Sequence, residues 1–262
     1  MEPQLIKTEI VDDHIALVTI DNPPVNAHST QVLDELMWTF DTLSDRDEVR
    51  VAVLTGAGKV FCAGADIKSR VGVERKPGDH WQGSRRAREA YHCIMECQKP
   101  VIAAINGPAF GWGFILALHC DIRFAARSAV MNATFARLGV PAEKGSGWLL
   151  ARLIGSARAL DLLYSARRID GVEAERLGIV NTVLADDALS EHVTAYARQI
   201  ASQSAPRALA AMKAQVWSAL DDPYDVGFAD ADKEQDLCTQ TEDFREGVAS
   251  YREKRAPSFR GL

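Results

Sequence analysis

Two short apolar runs, each followed at once by a loop of small residues, constrain this chain more than anything else in it. Val51-Ala52-Val53-Leu54 leads into Val60–Lys68, V-F-C-A-G-A-D-I-K, and Val101-Ile102-Ala103-Ala104-Ile105 leads into Asn106–Phe114, N-G-P-A-F-G-W-G-F. Apolar runs of this length, bounded by turn residues, read as buried strands. Small residues directly after a strand let backbone N–H groups approach a ligand closely. Two such loops side by side can aim two N–H donors at one oxygen, which stabilises charge developing on a carbonyl.

The remaining pattern supplies the frame for these loops. Residues 5–20 alternate and then run apolar, as strands do, until Pro23-Pro24 stops them. Val32, Leu33, Leu36, Met37, Phe40 and Leu43 recur at helical spacing, so 30–44 is expected to be an amphipathic helix. A polar, Gly-bearing stretch, Ser69–Ser84, reads as a loop leading to a helix over about 84–97, and a further helix is expected from Trp112 to Cys120. Strand and helix alternate to about residue 190, the signature of an α/β core with right-handed crossovers. Beyond that the chain reads as helical through 201–220 and 224–252. The expected organisation is a core over 1–190 and a helical segment over 191–262.

Composition narrows the function classes. The chain has 262 residues, enough for a large core, and its net charge of −6 argues against a nucleic-acid-binding surface. No apolar run reaches membrane-spanning length, and the N-terminal residues lack the basic and apolar regions of a secretion signal. The five cysteines, Cys62, Cys93, Cys97, Cys120 and Cys238, are odd in number and have no scaffold-like spacing, so they are expected to be reduced thiols in a cytoplasmic protein. Cys93, Cys97 and His92 lie close together, but a metal site needs further ligands, so core packing is the expectation and no metal is called for.

The two loops, taken together with other landmarks in order, resemble the crotonase superfamily of enoyl-CoA hydratases and isomerases. I-D-N-P-P-V-N-A (Ile20–Ala27), K-P-V-I-A-A-I-N-G (Lys99–Gly107), R-L-I-G-S-A-R-A-L-D-L-L (Arg152–Leu163), A-E-R-L-G-I-V-N (Ala174–Asn181) and E-K-R-A-P-S-F (Glu253–Phe259) carry the similarity nearly end to end. The resemblance implies an α/β fold, a spiral of ββα turns with a C-terminal helical trimerisation segment, and a homotrimer or homohexamer. It implies an acyl-CoA substrate, with coenzyme A entering as part of the thioester and no separate cofactor.

By position in the motifs, the resemblance places the oxyanion donors at the backbone N–H groups of Ala65 and Trp112, the latter in a Gly111-Trp112-Gly113 run that is usually three glycines. It runs the CoA moiety along Val25, Asn26 and Ala27 and along Ala63, Gly64, Asp66 and Ile67. Lys68 is placed to meet phosphate, and Lys254 and Arg255 are placed to reach the adenosine phosphates. The two glutamates of a typical hydratase fall here on Ile115 and Phe135, neither of which can transfer a proton. Glu143 is the acid left in the neighbourhood, at a position where some superfamily members carry a catalytic aspartate.

One base beside an oxyanion hole suits double-bond isomerisation, with Glu143 moving the proton. Hydrolysis, carbon–carbon cleavage or an unusual hydration on a CoA thioester is the alternative, as is a binder without catalysis. Secondary candidates are Tyr91, His92 and Arg88 on the helix before Lys99, His80 and Trp81 as a lid, and Asn132 and Thr134 as polar contacts for substrate. His28 reads as structural and His119 as a satisfied core histidine.

Overall fold

The sheet is built from the apolar runs seen in the sequence. The computed structural model describes residues 2–12, 14–65 and 91–261. Strands β1 (Ile6–Val11) and β2 (Ile15–Ile20) form an antiparallel hairpin with Ile6 opposite Ile20. The alternation over 5–20 is therefore two strands with a turn between them. From β2 the sheet continues in parallel through β3 (Val51–Gly56), β4 (Val101–Ile105), β6 (Ile122–Ala126) and β9 (Thr182–Leu184). Five-residue β4 is buried along its whole length, as a central parallel strand covered on both faces must be. A second, three-stranded sheet holds β5 (Ala109–Phe110), β7 (Val130–Asn132) and β8 (Arg168–Asp170).

Helix α1 (Thr30–Ser44) crosses from β2 to β3, capped by the Ser29 side chain, which accepts from the Val32 N–H. Its face of Val32, Leu33, Leu36, Phe40 and Leu43 is buried, as the spacing predicts. Glu35 is buried on the same helix. One of its carboxylate oxygens accepts the backbone N–H groups of Gln4, Leu5 and Ile6, at 2.9, 2.6 and 3.0 Å. A buried carboxylate held this way straps the start of β1 to the helix.

The second half is mainly helical. Helix α2 (Trp112–His119) follows β5, and a 3-10 turn (Thr134–Leu138) follows β7. Next come α3 (Ser146–Ile154), α4 (Ser156–Ser165) and α5 (Gly171–Leu177). Helix α6 (Leu189–Gln203) buries Leu189, Val193, Ala197 and Ala201 against β2, β3, β4 and β6. It packs against the sheet, and the segment beyond Gln203 continues as further helices. That segment is α7 (Pro206–Ser218), α8 (Tyr224–Thr239) and α9 (Glu242–Glu253).

Helix α7 is fixed to the core through Lys213. Its ammonium donates to the carbonyls of Ile94 and Lys99 at 2.7 and 3.1 Å and lies 2.9 Å from Asp121. Asp121 in turn accepts from the Trp217 indole N–H at 2.9 Å and the Val101 N–H at 2.7 Å. Among the described residues, no helix is long and apolar enough to cross a membrane.

Candidate active site

Strands β3 and β4 are parallel neighbours, with Ala52 opposite Val101, so the loops after them leave the same edge of the sheet. That edge is where parallel sheets place their ligands. Backbone bonds then join the loops. The Cys62 N–H donates to the Pro108 carbonyl and the Phe110 N–H to the Cys62 carbonyl, at 3.1 and 3.0 Å. The Asn106 side chain adds bonds to both Gly56 and Gly58.

Two glycines let the loops come this close. A Cβ on Gly113 would lie 2.1 Å from the Cys62 carbonyl oxygen. Gly64 has φ +93°, and a Cβ there would lie 2.7 Å from the Phe110 carbonyl oxygen and 3.7 Å from the Trp112 nitrogen. The donors expected from the sequence, the N–H groups of Ala65 and Trp112, thus sit on adjoining backbone segments. Ala65 N–H donates to no atom among the described residues. Trp112 is the first residue of α2, where a helix has no internal acceptor for its N–H groups.

The third strand of this wall is the turn at Val25–His28. Ala63 N–H donates to the Val25 carbonyl at 3.1 Å and His28 N–H to the Gly64 carbonyl at 2.7 Å. Asn26 was expected to touch the ligand. Its side chain is buried instead, giving both amide hydrogens to the Ala57 and Val60 carbonyls and accepting from the Asn22 N–H. It is a clasp for the loops. Val25 and Ala27 remain at the surface of the turn. Asp66, Ile67 and Lys68 lie outside the described residues, as do His80, Trp81 and Arg88.

Glu143 is brought to the site by a side chain. The Trp112 indole N–H donates to its Oε2 at 2.5 Å. The Lys144 ammonium lies 5.7 Å from the centre of the Trp112 ring. His28, taken from sequence as structural, packs edge-on against the same indole at 4.5 Å between centroids. Its Nε2 is 3.3 Å from the Tyr91 hydroxyl, and Tyr91 is buried rather than set on a helix face. These contacts join residues 28, 91, 112 and 143, and no local spacing in the sequence signals them.

Ile115 and Phe135 are both buried in the apolar core. Neither presents a polar atom where a hydratase would hold water. Asn132 is not available to substrate, because its amide donates to the Ala166 and Arg167 carbonyls. The Arg255 guanidinium is held by both oxygens of Glu246 and by Glu253, so its charge is neutralised within the chain. Lys254, in the left-handed conformation that ends α9, is exposed.

The cysteines other than Cys238 are buried, and burial pushes the Cys62 thiol up to about 11 and the Cys120 thiol up to about 12. They are protonated packing groups. His92 pairs with Glu96 at 3.1 Å, and among the described residues no three metal-ligating side chains converge.

Nearby lies a cavity of about 700 Å³, whose walls include Tyr91, Met95, His119, Lys144, Trp148 and Trp217. Lys144, next in sequence to Glu143, and Tyr91, which contacts His28, both line it.

The crossover α/β fold, with two joined glycine-bearing loops at one edge of its sheet and the Glu143 carboxylate held by Trp112, is that of a crotonase-like protein. The enoyl-CoA hydratase/isomerase family model matches residues 11–261, and the chain belongs to that family. It is 33% identical over 255 residues to (E)-benzylidenesuccinyl-CoA hydratase of Thauera aromatica, covering 96% of this chain and 97% of that one. It is 35% identical over 249 residues to carnitinyl-CoA dehydratase of Citrobacter koseri, covering 93% and 94%. The crystal structure of enoyl-CoA hydratase from Bacillus anthracis superposes with a TM-score of 0.94 at 32% identity, covering 99% of this chain and all of that one.

Proposed function

We propose that this protein is an acyl-CoA double-bond isomerase in which Glu143 is the base. The observation that carries the reading is the Trp112–Glu143 contact, which puts a carboxylate beside the oxyanion loops in a family member whose two usual acids are Ile115 and Phe135. A 3-enoyl thioester would be bound with its carbonyl oxygen accepting from the N–H groups of Ala65 and Trp112. Glu143 removes a proton from the α-carbon, and the electron pair passes into a dienolate whose oxygen the two donors stabilise. The same carboxyl returns the proton to the γ-carbon, which leaves the 2-enoyl thioester. Net proton change is zero, so one acid suffices where hydration ordinarily uses two.

The CoA portion is read onto Val25, Ala27, Ala63 and Lys68, with Lys254 as a further contact for phosphate. The C-terminal helices expose Met212, Val216, Tyr224, Phe228, Val248 and Tyr251, which supports reading them as the surface that meets other copies of the chain in a trimer or hexamer. A second reading, hydration with water held at Glu143 alone, is favoured by the names of the relatives.

The test follows 3-enoyl-CoA and 2-enoyl-CoA side by side, with wild type and Glu143→Gln. Isomerisation that falls by about a hundredfold or more in the variant, with CoA-thioester affinity kept, supports the proposal. Wild-type hydration of 2-enoyl-CoA faster than isomerisation would overturn it, as would a variant as active as wild type.

A further inference from the structure

His119 is buried in helix α2, 4% exposed, yet it contributes to the wall of the cavity that Tyr91 and Lys144, the neighbour of Glu143, also line. Its Nδ1 lies 2.9 Å from the Ile115 carbonyl oxygen. A carbonyl can only accept, so Nδ1 carries the proton. In the neutral ring Nε2 is then a bare acceptor, and it makes no hydrogen bond among the described residues. The Nδ1 edge is turned to its own helix, so the opposite edge, with Nε2, is what the ring can present to the cavity. Burial pushes His119 down to about 4, which keeps the ring neutral and Nε2 an acceptor across the physiological range.

The rings around it are fixed. Tyr91 packs on His119 at 4.9 Å between centroids and is held through its hydroxyl by His28. Trp148 lies under the Arg152 guanidinium at 3.8 Å, and Trp217 is anchored by Asp121. Aromatic walls set in advance favour a flat guest. A plain aliphatic chain would offer the buried acceptor no donor, which disfavours it against a guest that does.

We infer that the acyl group of the substrate carries a ring with a hydroxyl, and that His119 Nε2 accepts the hydrogen bond from that hydroxyl while Tyr91, Trp148 and Trp217 flank the ring. This rests on the reading of the loops as a thioester site, and it makes His119 a specificity-determining residue. His119 takes no part in the proton transfer.

The experiment measures binding, so that it does not depend on turnover. Wild-type protein is titrated with phenylacetyl-CoA, with its 2-, 3- and 4-hydroxyphenyl counterparts, and with the matching methoxy compounds, which keep the oxygen but cannot donate. The expected result is that one hydroxy isomer binds about five- to tenfold more tightly than phenylacetyl-CoA and its methoxy partner does not. In His119→Phe that advantage disappears while phenylacetyl-CoA affinity stays. Should the variant fail to fold, the hydroxy-against-methoxy comparison in wild type still decides. If phenylacetyl-CoA binds and no hydroxy isomer binds better, the inference fails and the thioester reading stands. If no CoA thioester binds, both fail.

Discussion

The Nε1 of Trp112 lies 2.5 Å from the Oε2 of Glu143, so the residue whose backbone opens helix α2 also holds, through its side chain, a carboxylate 31 positions further on. One residue therefore serves both halves of the proposed chemistry. Trp112→Phe keeps the backbone N–H and the ring contact with His28 but removes the donor. A hydrogen bond to a charged group contributes about 1.5–3 kcal/mol. The expected outcome is a loss of about ten- to a hundredfold in kcat with KM nearly unchanged. An equal loss in KM alone would show that the contact serves binding and leaves the base untouched.

The closeness of the two loops depends on residues without side chains. At Gly113 a methyl group would sit 2.1 Å from the Cys62 carbonyl oxygen, and that neighbour is backbone and cannot turn aside. Gly113→Ala must push the loops apart or distort the start of α2. Overpacking of this kind costs about 1–3 kcal/mol. Thermal unfolding should show a lowered midpoint, and turnover at a temperature where the variant is fully folded should fall further than stability explains. A variant with wild-type activity would mean that the loop spacing is not what aligns the donors.

Much of this arrangement was legible in the sequence, because the strands and loops are local. The runs before Cys62 and Asn106 gave buried strands with near-correct limits, and helix 30–44 was marked by its apolar spacing. What lay hidden was side-chain partnership across distance. Asn26 looked like a ligand contact because it stands in a motif beside the CoA path, yet its amide is consumed by carbonyls 31 and 34 positions away. His28 looked merely structural, though it packs on Trp112. Helix α6 reads as the start of a separate segment because its pattern is like that of its successors. Its contact with four strands of the sheet is a long-range feature that the pattern does not carry.

The attachment of helix α7 makes a different kind of prediction. Lys213 and Asp121 form a largely buried pair 2.9 Å apart, with side chains 6% and 17% exposed. Removing one partner strands the other charge away from water, which costs about 3–5 kcal/mol, whereas removing both is often far milder. Lys213→Met should therefore destabilise strongly, and adding Asp121→Asn should recover part of the loss. Denaturant midpoints of the two single variants and the double variant test this coupling. Simple additivity would show that the pair is not what ties α7 to the sheet.

His119 gives the stability of the fold a dependence on pH whose sign can be worked out. Burial, with the nearby charges of His92 and Arg123, lowers it from 6.5 to about 4, against the opposing effect of its bond to the Ile115 carbonyl. Between those values the unfolded chain binds the proton and the folded chain does not. Stability is therefore intact above about pH 6.5 and declines as pH falls toward about 4, by an amount on the order of 3 kcal/mol at the lower limit. Carboxylates elsewhere also titrate near the bottom of this range, so the informative quantity is the difference between wild type and His119→Phe. Urea unfolding from pH 8 to pH 4.5 should show a steeper acid-side decline in wild type than in the variant, even if the variant is less stable at neutral pH through loss of the Ile115 bond. Parallel curves would mean that His119 is protonated in the native state at mildly acidic pH. The bare acceptor required for hydroxyl recognition would then be absent there.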